Sequence, residues 1–213
     1  LTALGGDITD ANANAAADIL AGRITLTAGG GIGTLGNPLE VAPSGAEAPI
    51  TAIANTGDVT LAVTQGDVVA AAIGSVAGDT RLRVEAGDLR LAGADGIPAI
   101  NAGGALVLDV AGSITGKDGI ALDLAATGDS RITAGGDIGA ALAPLVTRFA
   151  APVLGDIASL GLYDRDPADG VPVSAWIVNE GDLQLTALAL DPAGSVFGLI
   201  NAGEVVIDDP AST

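Results

Sequence analysis

The run Thr27-Ala28-Gly29-Gly30-Gly31-Ile32-Gly33 returns further along the chain as Thr133-Ala134-Gly135-Gly136-Asp137-Ile138-Gly139. The same offset carries Pro38-Leu39 onto Pro144-Leu145, Gly6-Asp7-Ile8-Thr9 onto Gly112-Ser113-Ile114-Thr115, and Gly22 onto Gly128. One register that holds from Gly6 through Leu39 marks an internal repeat, and a repeat constrains the architecture before any single element does. The long repeat divides the chain into 6–111 and 112–213 within one segment spanning 1–213.

A shorter period lies inside it. Strand-like runs follow a glycine step, as in Gly57-Asp58-Val59-Thr60-Leu61, Gly78-Asp79-Thr80-Arg81-Leu82 and Gly181-Asp182-Leu183-Gln184-Leu185. Full units recur every 21 to 26 residues, with a second glycine turn eight or nine residues into each. Apolar residues alternate after the glycine, at Val59, Leu61 and Val63 and again at Leu82 and Val84, which is the period of a strand with one buried face. Asn55, Asn101, Asn179 and Asn201 each stand two residues before a glycine, and Asn and Gly are the residues that best tolerate the positive φ of a sharp corner. Crossover helices have no room in this spacing; only the stretch 11–19 permits one, without an apolar stripe to support it. A unit of two dozen residues cannot bury its own apolar face, whereas stacked units can. The reading is all-β, a parallel β-helix of roughly nine coils. At about 4.8 Å per layer it would form a rod on the order of 40 Å long. An antiparallel sandwich is the alternative, and it lacks the two-residue Asn-Gly turns that hairpins favour.

Composition fits a thin, regular interior. The apolar residues are Ala, Val, Ile and Leu; Phe149, Tyr163, Trp176 and Phe197 are the four aromatics, and methionine is absent. The net charge of −18 repels phosphate backbones and anionic headgroups, so neither nucleic-acid binding nor membrane insertion is expected. Absence of cysteine removes disulfides and is compatible with bacterial export. The opening at Leu1 carries no leader pattern, and the chain reads as a piece of something longer.

The repeat breaks once. Gly57 plus the offset falls on Tyr163, yet the matching glycine is Gly181, so the second copy is longer by the interval from 163 to 181. The excess defines an insertion at about 148–175 that holds Phe149 and Tyr163 and reaches Trp176, expected to be a loop projecting from the rod or a plug packed against it. Within it, Asp164, Asp166 and Asp169 are close enough in sequence to wrap calcium, with a solvated Asp/Pro/Gly turn as the plain alternative. Trp176 reads either as an exposed anchor for a glycan or protein, or as a strand residue packed beneath the insertion. No residue is assigned a catalytic, cofactor-binding or metal-binding role. Histidine and cysteine are absent, which removes the commonest general base and nucleophile. The aspartates at Asp7, Asp58, Asp67, Asp79, Asp88, Asp129, Asp137 and Asp182 repeat with the glycine corners, as a structural acceptor of backbone N–H groups would. An enzyme is therefore not expected.

The stretches 6–10, 22–41, 55–61 and 179–185, among them Gly6-Asp7-Ile8-Thr9 and Gly181-Asp182-Leu183-Gln184-Leu185, resemble the repeats of filamentous-haemagglutinin-like large exoproteins. That resemblance implies a right-handed coil in a long secreted or surface-anchored bacterial adhesin, with an extracellular or cell-surface location. The expected function is a structural segment of such an adhesin or fibre, acting in attachment or assembly. Its expected partners are neighbouring coils of a longer chain or further copies of itself, with glycans or host-cell-surface proteins as candidates. A carbohydrate- or protein-binding module using 148–175 is the alternative, and a polysaccharide-active enzyme a more distant one.

Overall fold

A computed structural model describes residues 1–12, 14–45, 48–117, 121–151, 156–191 and 194–208. The described chain is all-β and winds as a right-handed parallel β-helix of about eight turns. One wall stacks β1 (Thr2–Ala3), β3 (Ile24–Ala28), β5 (Pro49–Ala54), β7 (Val68–Ser75), β10 (Ile100–Ala102), β13 (Leu124–Ala126), β15 (Leu145–Phe149), β17 (Ala175–Asn179) and β19 (Phe197–Asn201). The facing wall stacks β2 (Ile19–Ala21), β4 (Leu39–Pro43), β6 (Val59–Val63), β8 (Thr80–Val84), β11 (Leu106–Val110), β14 (Ser130–Ala134), β16 (Ala158–Asp164), β18 (Leu183–Ala189) and β20 (Val205–Ile207). Each wall is thus nine strands deep. Two short strands, β9 (Leu89–Leu91) and β12 (Ile114–Thr115), extend a third ladder off β7.

Alternation within each strand aligns apolar columns along the axis. Leu61, Leu82, Leu108, Ile132 and Leu162 are successive partners through β6, β8, β11, β14 and β16, and all five are buried. A core built from such columns needs no large aromatic; Phe149 is the one aromatic that is fully buried. Toward the end of the rod one column turns polar: Leu124 is followed by Thr147, Asn179 and Asn201. Asn179 is buried and accepts from Thr147 Oγ1 (2.9 Å), while its Nδ2 donates to Asn201 Oδ1 (2.8 Å), so the amides satisfy one another along the stack.

The long repeat has a consequence in space that its sequence does not show. The corner at Gly33 (φ +63°) joins β3 to β4, and the bridge from Thr34 to Asn37 closes it. Its counterpart at Gly139 (φ +70°) joins β14 to β15 and is closed by the bridge from Ala140 to Ala143. A Cβ at Gly33 would meet Leu39 N at 2.7 Å and one at Gly139 would meet Trp176 O at 2.5 Å, so glycine is required by space as well as by φ. Yet β3 is second in its wall and β14 is sixth in the other. The offset therefore spans four and a half coils, and the two copies are related by half a turn about the axis.

The extra length of the second copy restores the phase. It is not loop throughout: β16 lies in this interval, seven residues long, paired with β14 on one side and β18 on the other. This added half-coil brings Asn179-Glu180-Gly181 back to the same wall edge as Asn55-Thr56-Gly57, five strands further along. The exposed part is 166–172, and residues 152–155 of the interval lie outside the described residues. The helix-permissive stretch 11–19 is made instead of turns up to β2; Ala13 within it lies outside the described residues.

Candidate functional site

The repeated aspartates form an interlock between coils. Asp58 Oδ1 accepts the backbone N–H of Asp79 (2.9 Å), Asp67 that of Asp88 (3.0 Å), Asp79 that of Ala105 (2.8 Å), and Asp88 that of Ser113 (2.8 Å). Asp7 and Asp182 make the same bond to Gly31 (2.7 Å) and Glu204 (2.8 Å). In every case the donor follows a glycine that lies over the carboxylate, where an added Cβ would overlap it. The Gly-Asp pair is thus one device: the aspartate grips the next coil, and the next glycine leaves room for it. Asp137 accepts from Ser174 N (2.9 Å), and Asp129 differs in accepting the Ser159 hydroxyl (2.6 Å). The bonds run across coils rather than locally.

Asp164, Asp166 and Asp169 do not converge. The one group of three clustered acids among the described residues lies elsewhere. Asp164 Oδ1 accepts from Asp166 N (2.9 Å), Asp166 from Ala168 N (3.4 Å) and Asp169 from Val171 N (2.7 Å), so each closes its own turn. Asp164 is the last residue of β16, continues the column Val63, Val84, Val110 and Ala134, and is buried. Trp176 is half-buried on the outward side of β17 and lies across Gly198 of the next strand, where any side chain would strike its ring. The outer face of the other wall carries Arg81, Arg83 and Arg131, joined by Arg165. Their charges are engaged: Arg81 with Asp79 (2.7 Å), Arg165 with Asp109 (3.2 Å), and Arg131 over the Tyr163 ring at 4.2 Å. Half-exposed pairs of this kind contribute about 0–1 kcal/mol each and leave little free positive charge for a ligand.

The acids that do converge are Asp10, Asp18 and Glu40, each offering a carboxylate oxygen within 4.8 Å of the others. Glu40 sits in β4 between the inward residues Leu39 and Val41 and so projects outward, yet it is only 6% exposed. Its Oε2 is enclosed and has no hydrogen-bond partner. Burial foremost, then the charges of Asp10 and Asp18, raise the Glu40 carboxyl above its ordinary value. The segment carrying Asp10 and Asp18 is folded by its own side chains: Asp10 Oδ1 accepts from Asn12 N (2.8 Å), Asn12 Oδ1 from Asn14 N (3.2 Å) and Asn14 Oδ1 from Ala16 N (2.7 Å). Asn37 Nδ2 donates to Asp10 O (3.1 Å), and Asp18 N donates to Glu40 O (2.9 Å), tying the segment to the second coil. Sequence reading missed this site. Its signal was the spacing Asp10-x-Asn12-x-Asn14-x-x-x-Asp18, which matches oxygen-ligand positions 1, 3, 5 and 9 of a calcium loop. The expected Glu at position twelve is absent, since Ala21 stands there, and the fold brings Glu40 from the neighbouring coil instead.

No family model, curated protein or solved structure matches this chain. The class its fold defines is the parallel β-solenoid repeat protein.

Proposed function

We propose that the chain is a structural β-helical segment of a large secreted or surface-anchored bacterial adhesin or extracellular fibre, acting in attachment or assembly. The observation that carries this reading is the repeated Gly-Asp interlock, in which an aspartate of one coil accepts a backbone N–H of the next, since it adds nothing but cohesion between coils. Coils joined in this way are units of a stack, held by neighbours of the same kind.

Small-angle scattering of the purified chain over a concentration series tests the assembly half, and retention of cells on chain-coated surfaces tests attachment. The expected result is a rod of roughly 40 Å at low concentration whose length grows in multiples while its cross-section stays constant. A rod of fixed length at every concentration, on a coating that retains no more cells than an inert protein, would overturn the proposal. Cell retention that disappears when 166–172 is replaced by a short glycine-serine linker, without end-to-end growth, would instead favour the binding-module reading.

A further inference from the structure

We propose that Asp10, Asp18 and Glu40 form a calcium site that clamps the first coil onto the second. Two independent observations lead to it. The first is convergence: three carboxylates from two coils come within 4.8 Å of one another. The second is Glu40 itself, an outward side chain that is enclosed although its Oε2 has no partner in the protein. An enclosed, unpartnered carboxylate oxygen facing two more carboxylates is costly for the protein alone. A divalent cation removes that cost by supplying the missing partner.

The chemistry selects the ion. The converging donors are carboxylate oxygens, which suit hard cations; histidine and cysteine, the ligands of zinc and copper, are absent from the chain. The segment from Asp10 to Asp18 already has its turns formed by the Asn12, Asn14 and Ala16 N–H groups, so binding need not order it from a random coil. Calcium accepts six to eight oxygens in flexible geometry, whereas magnesium demands a near-ideal octahedron, so a site drawn from two coils and a loop favours calcium. The arrangement differs from a single-loop calcium motif in that the closing carboxylate comes from the next coil. Binding would therefore couple the ion to coil stacking rather than to the loop alone. This inference does not depend on the adhesin reading.

The test uses the full chain, stripped of metal, titrated calorimetrically with calcium chloride and separately with magnesium chloride, alongside Glu40→Gln, Asp18→Asn and the control Asp166→Asn/Asp169→Asn. The expected result is one calcium per chain with a Kd on the order of 10⁻⁴–10⁻³ M or tighter. Glu40→Gln and Asp18→Asn should each weaken binding by at least about tenfold, and the control should bind as the parent does. Calcium should also raise the melting temperature of the parent and leave that of Glu40→Gln unmoved. Glu40→Gln removes a crowded charge, so it is expected to fold without metal and to keep the comparison valid. No stoichiometric calcium binding up to about ten times that Kd range, or binding by Glu40→Gln equal to the parent's, would overturn the site. Loss of binding in the control alone would move it to the 164–169 turn and overturn it equally.

Discussion

Gly104 and Asp79 provide the sharpest test of the interlock between coils. Gly104 has no left-handed φ, so its backbone accepts an alanine. The obstacle is one atom: an added Cβ would overlap Asp79 Oδ1, while the next nearest atoms, Gly78 C and Asp79 Cγ, are 3.4 and 3.5 Å away. Gly104→Ala must therefore push the carboxylate off the Ala105 N–H, a 2.8 Å charge-assisted bond whose net contribution is about 2 kcal/mol. Asp79→Ala loses the same bond, plus an Arg81 pair whose partial exposure keeps it below about 1 kcal/mol. Independent effects would sum to about 4 kcal/mol in the double variant. The interlock predicts otherwise. With the carboxylate gone, Gly104→Ala meets nothing closer than ordinary contact and restricts the unfolded chain, a gain of about 0.5 kcal/mol. The double variant should thus be no less stable than Asp79→Ala alone, a coupling of about 2 kcal/mol or more. Urea unfolding followed by far-ultraviolet circular dichroism measures all four corners of the cycle. If Gly104→Ala costs the same with and without Asp79, the carboxylate and the glycine are not one device, and the explanation of the Gly-Asp repeat fails.

Two further outcomes follow from the same geometry. The carboxyl of Glu40, raised by burial and by Asp10 and Asp18, is protonated in folded and unfolded chains alike at low pH; as pH rises above the ordinary 4.5, the unfolded chain ionises first and stability is lost until Glu40 ionises in place. In metal-free buffer Glu40→Gln should accordingly raise the melting temperature near pH 7.5 and leave it unchanged near pH 4; an equal shift at both would refute the burial argument. Deleting 85–110 removes one whole coil, because Val84 and Val110 are register partners and β9, β10 and β11 leave together. The shortened chain should retain its β-sheet dichroism and cooperative unfolding while its rod shortens by about 4.8 Å; an unfolded or aggregated product would show that the coils are not interchangeable units.

Much of this is legible in the residues. The Gly-Asp steps with alternating Val, Leu and Ile specify short strands with one buried face, and units of 21 to 26 residues specify stacking, because so short a unit has no core of its own. Glycine at 33 and 139 announces the corners, and the recurrence of Asp after Gly announces a structural carboxylate. What the sequence does not state is phase. The return of the Gly33 corner at Gly139 says that two stretches are alike, but only the winding shows that their separation covers four and a half coils and sets them on opposite walls. The added interval in the second copy reads as a loop when phase is unknown, and β16 is the half-turn that corrects it. The acidic cluster has the same cause. Asp10 and Asp18 carry a local spacing that is visible in the sequence, but Glu40 stands well beyond Asp18 along the chain, with β2 and β3 between them. It reaches the site because the register of β2 on β4, Ile19 on Val41, lays one coil over the next. Local chemistry fixes strands and corners; which residues meet across coils depends on the length of chain in each turn, and that is a property of the closed helix.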